Sequence, residues 1–170
     1  PSPQGILFHI KVPIAELIPQ PQKTSVYLER IQDPGNLGTI IRTCAAADIE
    51  TIYLSPACVN PWSTKVLRSA QGAHVTLNLY TNVDVQTFFA TNRLPVYVTY
   101  LSAQAKSLYT TQFPKELIWV FGNEGQGVSG EVLNLAQEQV FIPQSSRVES
   151  LNVGVACGIV LFEHKRQWQA

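Results

Sequence analysis

Residues 117–127 read LIWVFGNEGQG. The first five residues are apolar and rich in β-forming side chains, which predicts a buried strand. Glycines then stand at positions 122, 125 and 127, and they allow the backbone to turn sharply as soon as the strand ends. A short, continuously apolar strand of this kind is typical of a parallel sheet that is covered on both faces.

The same alternation of short apolar strands with helical segments extends outward over the chain. Further strands are predicted at Val26–Glu29, Thr51–Leu54, Val75–Tyr80, Val96–Tyr100 and Gln139–Ile142. Helices are predicted after Asn36 as N-cap to Ala47, and at Pro61–Arg68, Val83–Asn92, Ser129–Ala136 and Ser150–Gln167. This order predicts an α/β fold, in which a mostly parallel sheet is flanked by helices on both faces.

The composition describes a compact folded protein and excludes several classes of function. The chain has 170 residues, of which 45% are hydrophobic and 14% charged, and its net charge is zero. It contains no apolar run long enough to span a bilayer and no signal peptide, so we expect a cytoplasmic protein without a membrane partner. The three cysteines, Cys44, Cys58 and Cys157, lack metal-ligand spacing, so neither zinc nor disulfides are expected.

Three loops follow predicted strands on the side where parallel sheets bind ligands, at residues 33–36, 122–128 and 143–152. In the second loop, Glu124 stands between the turn glycines, where its carboxylate would repel a phosphate. We therefore expect a ligand with a cationic centre or with ribose hydroxyls. An ordinary tight turn explains the glycine spacing alone equally well.

The third loop leads into the last helix and supplies two polar candidates. Ser150 is placed to cap that helix and to offer its hydroxyl at the helix N-terminus. Asn152 can donate and accept hydrogen bonds at once. Gly154, Ala156 and Gly158 keep the helix thin, so another backbone or a ligand can pack closely. A capped, tightly packed helix without a ligand is the alternative.

Arg42 lies about two turns along the predicted first helix. That helix has an apolar stripe at helical spacing and is otherwise uncharged. Because a planar guanidinium suits a phosphate, Arg42 is a candidate binding residue. A solvated or salt-bridged surface arginine is the alternative.

Together the three blocks, in this order, resemble the SpoU (TrmH-like) branch of the SPOUT RNA methyltransferases. The residues that carry the resemblance are Asn36-x-Gly38-x-x-x-Arg42, Val120 to Gly127, and Ile142-Pro143 with Val148 to Val153. The similarity extends from about Val26 to Gln167, nearly the whole chain, and the combination of three ordered motifs is specific.

The resemblance implies a fold and a chemistry. It implies a C-terminal deep trefoil knot, one of the rare exceptions to unknotted topology, which forms the pocket for S-adenosylmethionine. It implies methylation of an RNA ribose 2'-hydroxyl without a metal. Backbone groups of Gly122, Ile142 and Leu151 are then expected to hold the adenosyl part, with Thr99 and Tyr100 near the adenine or ribose.

The resemblance also assigns roles in catalysis. Arg42 is expected at the target ribose and its phosphate, close to the cofactor of the second subunit of a homodimer that packs partly through the C-terminal helix. Asn36, Glu124, Ser150 and Asn152 are expected to shape the pocket and to orient the hydroxyl. Whether Arg42 is the base or an orienting group stays open, although the strong basicity of a guanidinium makes the former demanding.

Three further basic residues are candidate contacts to RNA phosphates. Lys65 and Arg68 share one predicted helical face, and Arg147 stands where the family often has glycine. Exposed side chains without such a role are the alternative. Asp48 and Gly154 also depart from the family pattern, and neither change removes a residue assigned to catalysis.

The division of the chain and the substrate follow from the same resemblance. We expect residues 1–25 to be a linker or extension from an N-terminal RNA-binding domain outside this chain, with a junction at Pro3–Leu7, and residues 26–170 to be the catalytic domain.

Zero net charge counts against an RNA binder unless a local basic face or that further domain supplies the charge. We expect ribosomal RNA as substrate, with transfer RNA, a catalytically silent RNA-binding module and a dehydrogenase-type domain as alternatives.

Overall fold

The computed structural model describes Gly5, His9, Lys11, Val12 and residues 18–168. Within this part of the chain, the core is a seven-stranded sheet whose strands are β1 (Ser25–Leu28), β2 (Thr51–Leu54), β3 (Asn78–Tyr80), β4 (Val96–Thr99), β5 (Lys106–Ser107), β6 (Ile118–Phe121) and β7 (Glu138–Phe141). Their order is β3-β2-β1-β6-β4-β7-β5, and every neighbouring pair is parallel. The predicted parallel sheet is therefore confirmed.

Helices cover both faces of the sheet, as predicted. They are α1 (Pro34–Ala46), α2 (Thr64–Ala70), α3 (Val85–Thr91), α4 (Gly130–Leu135) and α5 (Val153–Trp168). Side chains of α1, α2 and α5 form one buried cluster, and those of α3 and α4 form the other. Alternate residues of each central strand enter opposite clusters: Val26 and Leu28 lie in the first and Tyr27 in the second.

The first helix is capped by a different residue from the one predicted. Asp33, not Asn36, is the N-cap of α1, because its Oδ1 accepts a hydrogen bond from the Asn36 backbone N–H at 2.8 Å. Pro34 follows at the first helical position, where a missing N–H is harmless and the fixed φ suits the helix. Asn36 is thereby placed inside the first turn, with its side chain free for other partners.

The last helix is also capped by a different residue from the one predicted. It begins at Val153, and Asn152 caps it by accepting from the backbone N–H groups of Gly154 at 2.9 Å and Val155 at 3.3 Å. Ser150 lies two residues upstream of that cap, outside the helix. Asn152 therefore uses its oxygen for the helix and keeps its amide N–H₂ as a donor.

Two further features of the sheet differ from the prediction. The predicted strand at Val75–Tyr80 is a 3₁₀ helix, Ala73–Thr76, followed by the shorter β3. Buried His74 anchors that turn through its hydrogen bond with the Pro61 carbonyl, while Val75 is 90% exposed. The edge strand β5 was missed, because two polar residues carry no apolar pattern.

Helices α1 and α5 pack closely through small residues. A Cβ added to Gly154 would lie 3.1 Å from Cγ2 of Thr39, and one added to Gly158 would lie 3.8 Å from Cγ2 of Thr43. The prediction that small residues allow close packing is confirmed. Cys157 is fully buried beside Cys44, and burial together with this second thiol raises the pKa of Cys157.

Some sequence-based expectations are not tested by this architecture. The trefoil knot stays a prediction. The junction expected at Pro3–Leu7 lies outside the described residues, apart from Gly5. Among the described helices, none combines the length with the apolar character that crossing a bilayer requires.

His164, on α5, is buried in the aromatic part of the core. Its Nε2 donates to the Pro114 carbonyl at 3.0 Å, so its Nδ1 carries no proton and accepts from Nε1 of Trp119 at 3.3 Å. Burial lowers the pKa of His164, against the opposing effect of the hydrogen bond to Pro114. The neutral ring is thus the form that satisfies both neighbours.

Acidification should destabilise the fold through His164. Because its pKa is lower in the folded protein than the roughly 6.5 of an unfolded chain, the unfolded state binds more protons below that pH. This contribution to stability is complete above pH ~6.5 and is lost as the pH falls towards the folded pKa. His164→Phe should remove it and also lower the free energy of unfolding at pH 8 by about 1–3 kcal/mol, because Trp119 and Pro114 lose a partner.

Urea unfolding followed by tryptophan fluorescence between pH 5 and pH 8 measures both effects. All other ionisable side chains are the same in both proteins, so the difference between the two pH profiles isolates the histidine. Identical pH slopes for the wild type and His164→Phe would contradict the assignment.

Candidate active site

A cavity of about 490 Å³ lies at the carboxyl ends of β4, β6 and β7, which are neighbours in the sheet. This volume is within the range of roughly 300–1,000 Å³ that is usual for small-molecule sites. Its walls include residues from all three loops singled out in the sequence and from a fourth loop, which follows β4. The structure therefore brings the three separate motifs to one place.

The loop after β6 is organised by Asn123. Its Oδ1 accepts from the backbone N–H groups of Gly125 at 2.9 Å and Gln126 at 3.0 Å, while its backbone exchanges two hydrogen bonds of 2.9 Å with Gly127. Its Nδ2 donates to the Arg30 carbonyl at 2.8 Å and ties the loop to the end of β1. The sequence interpretation missed this role, although an asparagine whose side chain bonds to the backbone two residues later is a known signal for such a turn.

Gly122 lies in contact with its own loop. A Cβ at this position would be 2.3 Å from the carbonyl carbon of Gly127 and 2.4 Å from the Val128 nitrogen. Gly127 has φ of +67°, in the left-handed region that favours glycine. The sequence predicts that these glycines allow a ligand to approach the backbone closely. At Gly122 the close approach is between two segments of the loop's own backbone.

Glu124 connects this loop to the start of α1. Its Oε1 accepts from the Asp33 backbone N–H at 3.0 Å and from Nδ2 of Asn36 at 3.1 Å, and its Oε2 accepts from the Gln32 N–H at 3.1 Å. Partial burial opposes ionisation, but these hydrogen bonds outweigh it and lower the pKa of Glu124. The side chain is therefore a carboxylate at neutral pH.

Asn36 extends the connection to the third motif. While its Nδ2 donates to Glu124, its Oδ1 accepts from Nδ2 of Asn152 at 2.8 Å. Because Asn152 also caps α5, a single series of hydrogen bonds joins the loop after β6, the first turn of α1 and the N-terminus of α5. We call this series, Glu124–Asn36–Asn152, the polar bridge.

Most of the other predicted site residues line the same cavity. They are Thr99, Tyr100, Gly122, Ile142, Ser150 and Leu151. Within residues 18–168 the Ser150 hydroxyl has no hydrogen-bond partner, so it is available to a ligand. The structure places these residues together, and their individual roles stay predictions.

Four predicted residues do not line the cavity. Arg42 lies on α1 almost two turns beyond Asn36, and its side chain is exposed. Lys65 and Arg68 are exposed on α2, and Arg147 is exposed in the loop before α5. The structure of the single chain therefore does not place these four side chains in the cavity wall.

The chemistry of the walls fits an adenosyl group that carries a positive charge. Glu124 is the one charged side chain among the described lining residues, so the cavity favours a cation over a phosphate. Apolar walls at Ile142, Leu151 and Ala156 suit a flat base. Within the described residues, no group of three or more His, Cys, Asp or Glu side chains is placed to hold a metal ion.

Comparison with known proteins agrees with this site. The model of the SpoU rRNA Methylase family matches residues 23–162. An uncharacterized tRNA/rRNA methyltransferase of Synechocystis sp. is 41% identical over 99% of this chain and 63% of its own length. The tRNA (guanosine(18)-2'-O)-methyltransferase of Thermus thermophilus is 35% identical over 87% of this chain and 76% of its own length.

A solved structure extends the similarity to the fold. The AdoMet-bound rRNA methyltransferase from Sinorhizobium meliloti superposes with a TM-score of 0.82 at 33% identity, over 91% of this chain and 60% of that one. The chain spans about half to two thirds of the length of several curated relatives that it matches. With a match that covers most of its residues, the chain belongs to the SpoU rRNA methylase family.

Proposed function

We propose that this chain is the catalytic domain of an S-adenosylmethionine-dependent RNA methyltransferase that acts on a ribose 2'-hydroxyl in ribosomal RNA. The observation that carries the proposal is the polar bridge, Glu124–Asn36–Asn152, which joins the three family motifs along the wall of one cavity. Relatives that act on this hydroxyl and a similar structure that binds AdoMet support it.

The cavity would hold the cofactor through the ends of the strands. Backbone groups at Gly122, Ile142 and Leu151 line it and can hold the adenosyl part, with Thr99 and Tyr100 beside the adenine or ribose. When bound, S-adenosylmethionine supplies a methyl group that is activated by a positively charged sulfur. The Glu124 carboxylate adds the negative field that favours this charge over a neutral or anionic ligand.

The chain's own residues would orient the acceptor hydroxyl. The amides of Asn36 and Asn152 are held by each other, whereas the Ser150 hydroxyl remains available to donate to or accept from the ribose. Fixing the hydroxyl in line with the methyl group removes much of the entropic barrier to the reaction. Arg42 would bind the target phosphate and orient the hydroxyl, whose proton is released to solvent water as the oxygen takes the methyl group.

A homodimer would bring Arg42 of one subunit to the cavity of the other. Helix α5 supports this arrangement, because Val155 and Phe162 lie seven residues apart and are 51% and 49% exposed. A spacing of seven residues places both on one face of a helix. That face is a candidate for the contact between subunits.

The RNA would reach the site across basic side chains outside the cavity. Lys65, Arg68 and Arg147 are exposed and form no ion pair within the described residues, so they are available to phosphates. The proposal also takes residues 1–25 as a linker or an extension from an N-terminal RNA-binding domain, and residues 26–170 as the catalytic domain. We further propose a cytoplasmic location. Transfer RNA is the second candidate substrate, because the Thermus thermophilus relative acts on it.

The first test is methyl transfer itself. The purified protein, incubated with labelled S-adenosylmethionine and unmodified total RNA, should place 2'-O-methyl groups in ribosomal RNA. Arg42→Ala should bind the cofactor with unchanged affinity in calorimetry and lose at least about a hundredfold in rate, as expected for loss of an electrostatic stabiliser. Arg93→Ala, at the amino end of β4, serves as the matched control and should be fully active.

Each outcome of this assay is informative. Absence of cofactor binding by the wild type would contradict the whole proposal. Labelled transfer RNA alone would establish the second candidate, and a methylated base would refute the choice of the ribose. Full activity of Arg42→Ala would refute the role of Arg42.

The second test addresses the polar bridge. Glu124→Gln replaces a carboxylate that accepts three hydrogen bonds by an amide, whose N–H₂ must face another donor. Loss of these charge-assisted bonds should weaken cofactor binding about tenfold or more while the fold persists. Calorimetry with S-adenosylmethionine measures the affinity, and circular dichroism checks the fold.

Glu131→Gln is the matched control for this substitution, because Glu131 is an exposed carboxylate on α4. Its affinity should equal that of the wild type. An equal affinity for Glu124→Gln would show that the polar bridge does not shape the cofactor site.

The third test addresses the dimer. Phe162→Glu places a charge on the exposed face of α5 and should convert the dimer to a monomer without unfolding the chain. Light scattering after size exclusion gives the mass. Val75→Glu, an equivalent change at an exposed residue of the 3₁₀ helix, should leave the mass unchanged. A monomeric wild type would refute the dimer.

A further inference from the structure

Arg30 holds an unfavourable backbone conformation at the carboxyl end of the central strand β1. Its φ is +55°, in the left-handed region where a side chain is strained and glycine or asparagine is preferred. Three hydrogen bonds hold it there: its N–H donates to Oγ of Ser55 at 2.9 Å, and its carbonyl accepts from Nδ2 of Asn123 at 2.8 Å and from Nε2 of Gln32 at 3.4 Å. Strain of this kind concentrates at functional sites.

The side chain of Arg30 is also incompletely satisfied. Its Nε is buried and, within the described residues, has no hydrogen-bond partner. One terminal nitrogen lies 3.7 Å from Oε1 of Glu29, which is an ion-pair distance but not a hydrogen bond. The side chain is 38% exposed, so the guanidinium combines a partly desolvated charge with access from solvent.

The acidic groups near this end of β1 accept hydrogen bonds from other donors, and Glu29 in addition forms the ion pair with Arg30. Oε2 of Glu29 accepts from the Ser129 N–H at 2.7 Å. Glu124 accepts three hydrogen bonds, and Asp33 caps α1. Their negative charges are therefore partly compensated by backbone dipoles, and the terminal N–H groups of Arg30, which form no hydrogen bond within the described residues, are the donors available to an anion.

We propose that Arg30 binds a backbone phosphate of the RNA, next to the cofactor cavity. Its carbonyl is bonded to the loop after β6, and Gln32, two residues later, bonds to Glu124, so the residue belongs to the framework of the cavity. A planar guanidinium with unused donors matches the oxygens of a phosphate. The inference rests on the proposed function, since it takes RNA as the substrate.

The backbone conformation of Arg30 provides an unusually clean test. Arg30→Gly removes the guanidinium and at the same time relieves the left-handed strain, which offsets the loss of the ion pair with the buried Glu29, so the variant should remain folded. Arg30→Lys keeps the charge but loses the planar fork. Arg93→Gly removes an exposed arginine that precedes the amino end of β4, and it is the matched control.

Binding is measured by filter retention of a labelled, unmodified ribosomal RNA transcript between 50 and 200 mM KCl. Arg30→Gly should bind about tenfold more weakly, and the slope of log affinity against log salt should fall by about 0.7–0.9, the amount for one lost phosphate contact. Arg30→Lys should keep the slope, and Arg93→Gly should match the wild type. Cofactor affinity by calorimetry should be the same in all four proteins.

Two results would overturn the inference. One is an unchanged affinity and salt slope for Arg30→Gly. The other is that Arg30→Gly is less stable than the wild type, Arg30→Lys restores the stability, and the RNA affinity of each variant changes only in proportion to its folded fraction. In that case the role of Arg30 would be to pair with Glu29. A wild type that binds cofactor but no RNA would instead refute the proposed function.

Discussion

The Glu124 carboxylate is the group on which the geometry of the site depends. It accepts two backbone N–H groups from the loop after β1 and the Asn36 amide, so it joins the ends of two neighbouring strands. The remaining amide oxygen of Asn36 then holds Asn152 and thereby the start of α5. Charge-assisted hydrogen bonds are about twice as strong as neutral ones, which suits a side chain that joins two chain segments directly and a third through Asn36.

Much of this architecture follows from the sequence because its determinants are local. Continuous apolar strands such as residues 117–121 indicate a covered parallel sheet, and parallel strands bring the loops at their carboxyl ends together. The caps were harder to predict. Asp33 competes with Asn36, and Asn152 with Ser150, and hydrogen-bond geometry rather than residue type decides between such neighbours.

Other features could not be predicted from the sequence because they depend on contacts between distant residues. The hydrogen bond between Asn36 and Asn152 spans 116 positions, and no periodic pattern encodes it. His74 lies in a 3₁₀ helix that replaces the start of a predicted strand, and its ring bonds to the carbonyl of Pro61, 13 residues earlier. The sequence does not identify Arg30 as a site residue, because the left-handed conformation of its backbone is visible only in three dimensions.

The strands at the two ends of the sheet are very short, and this affects how copies of the protein can associate. β5 has two residues and includes Lys106, which pairs with Glu138, and β3 has three. Short edges that carry lysine resist the addition of a strand from another molecule, and so protect against edge-to-edge aggregation. Pairing between the edge strands of two copies is therefore disfavoured. Self-association of the protein is then favoured through its helical surfaces.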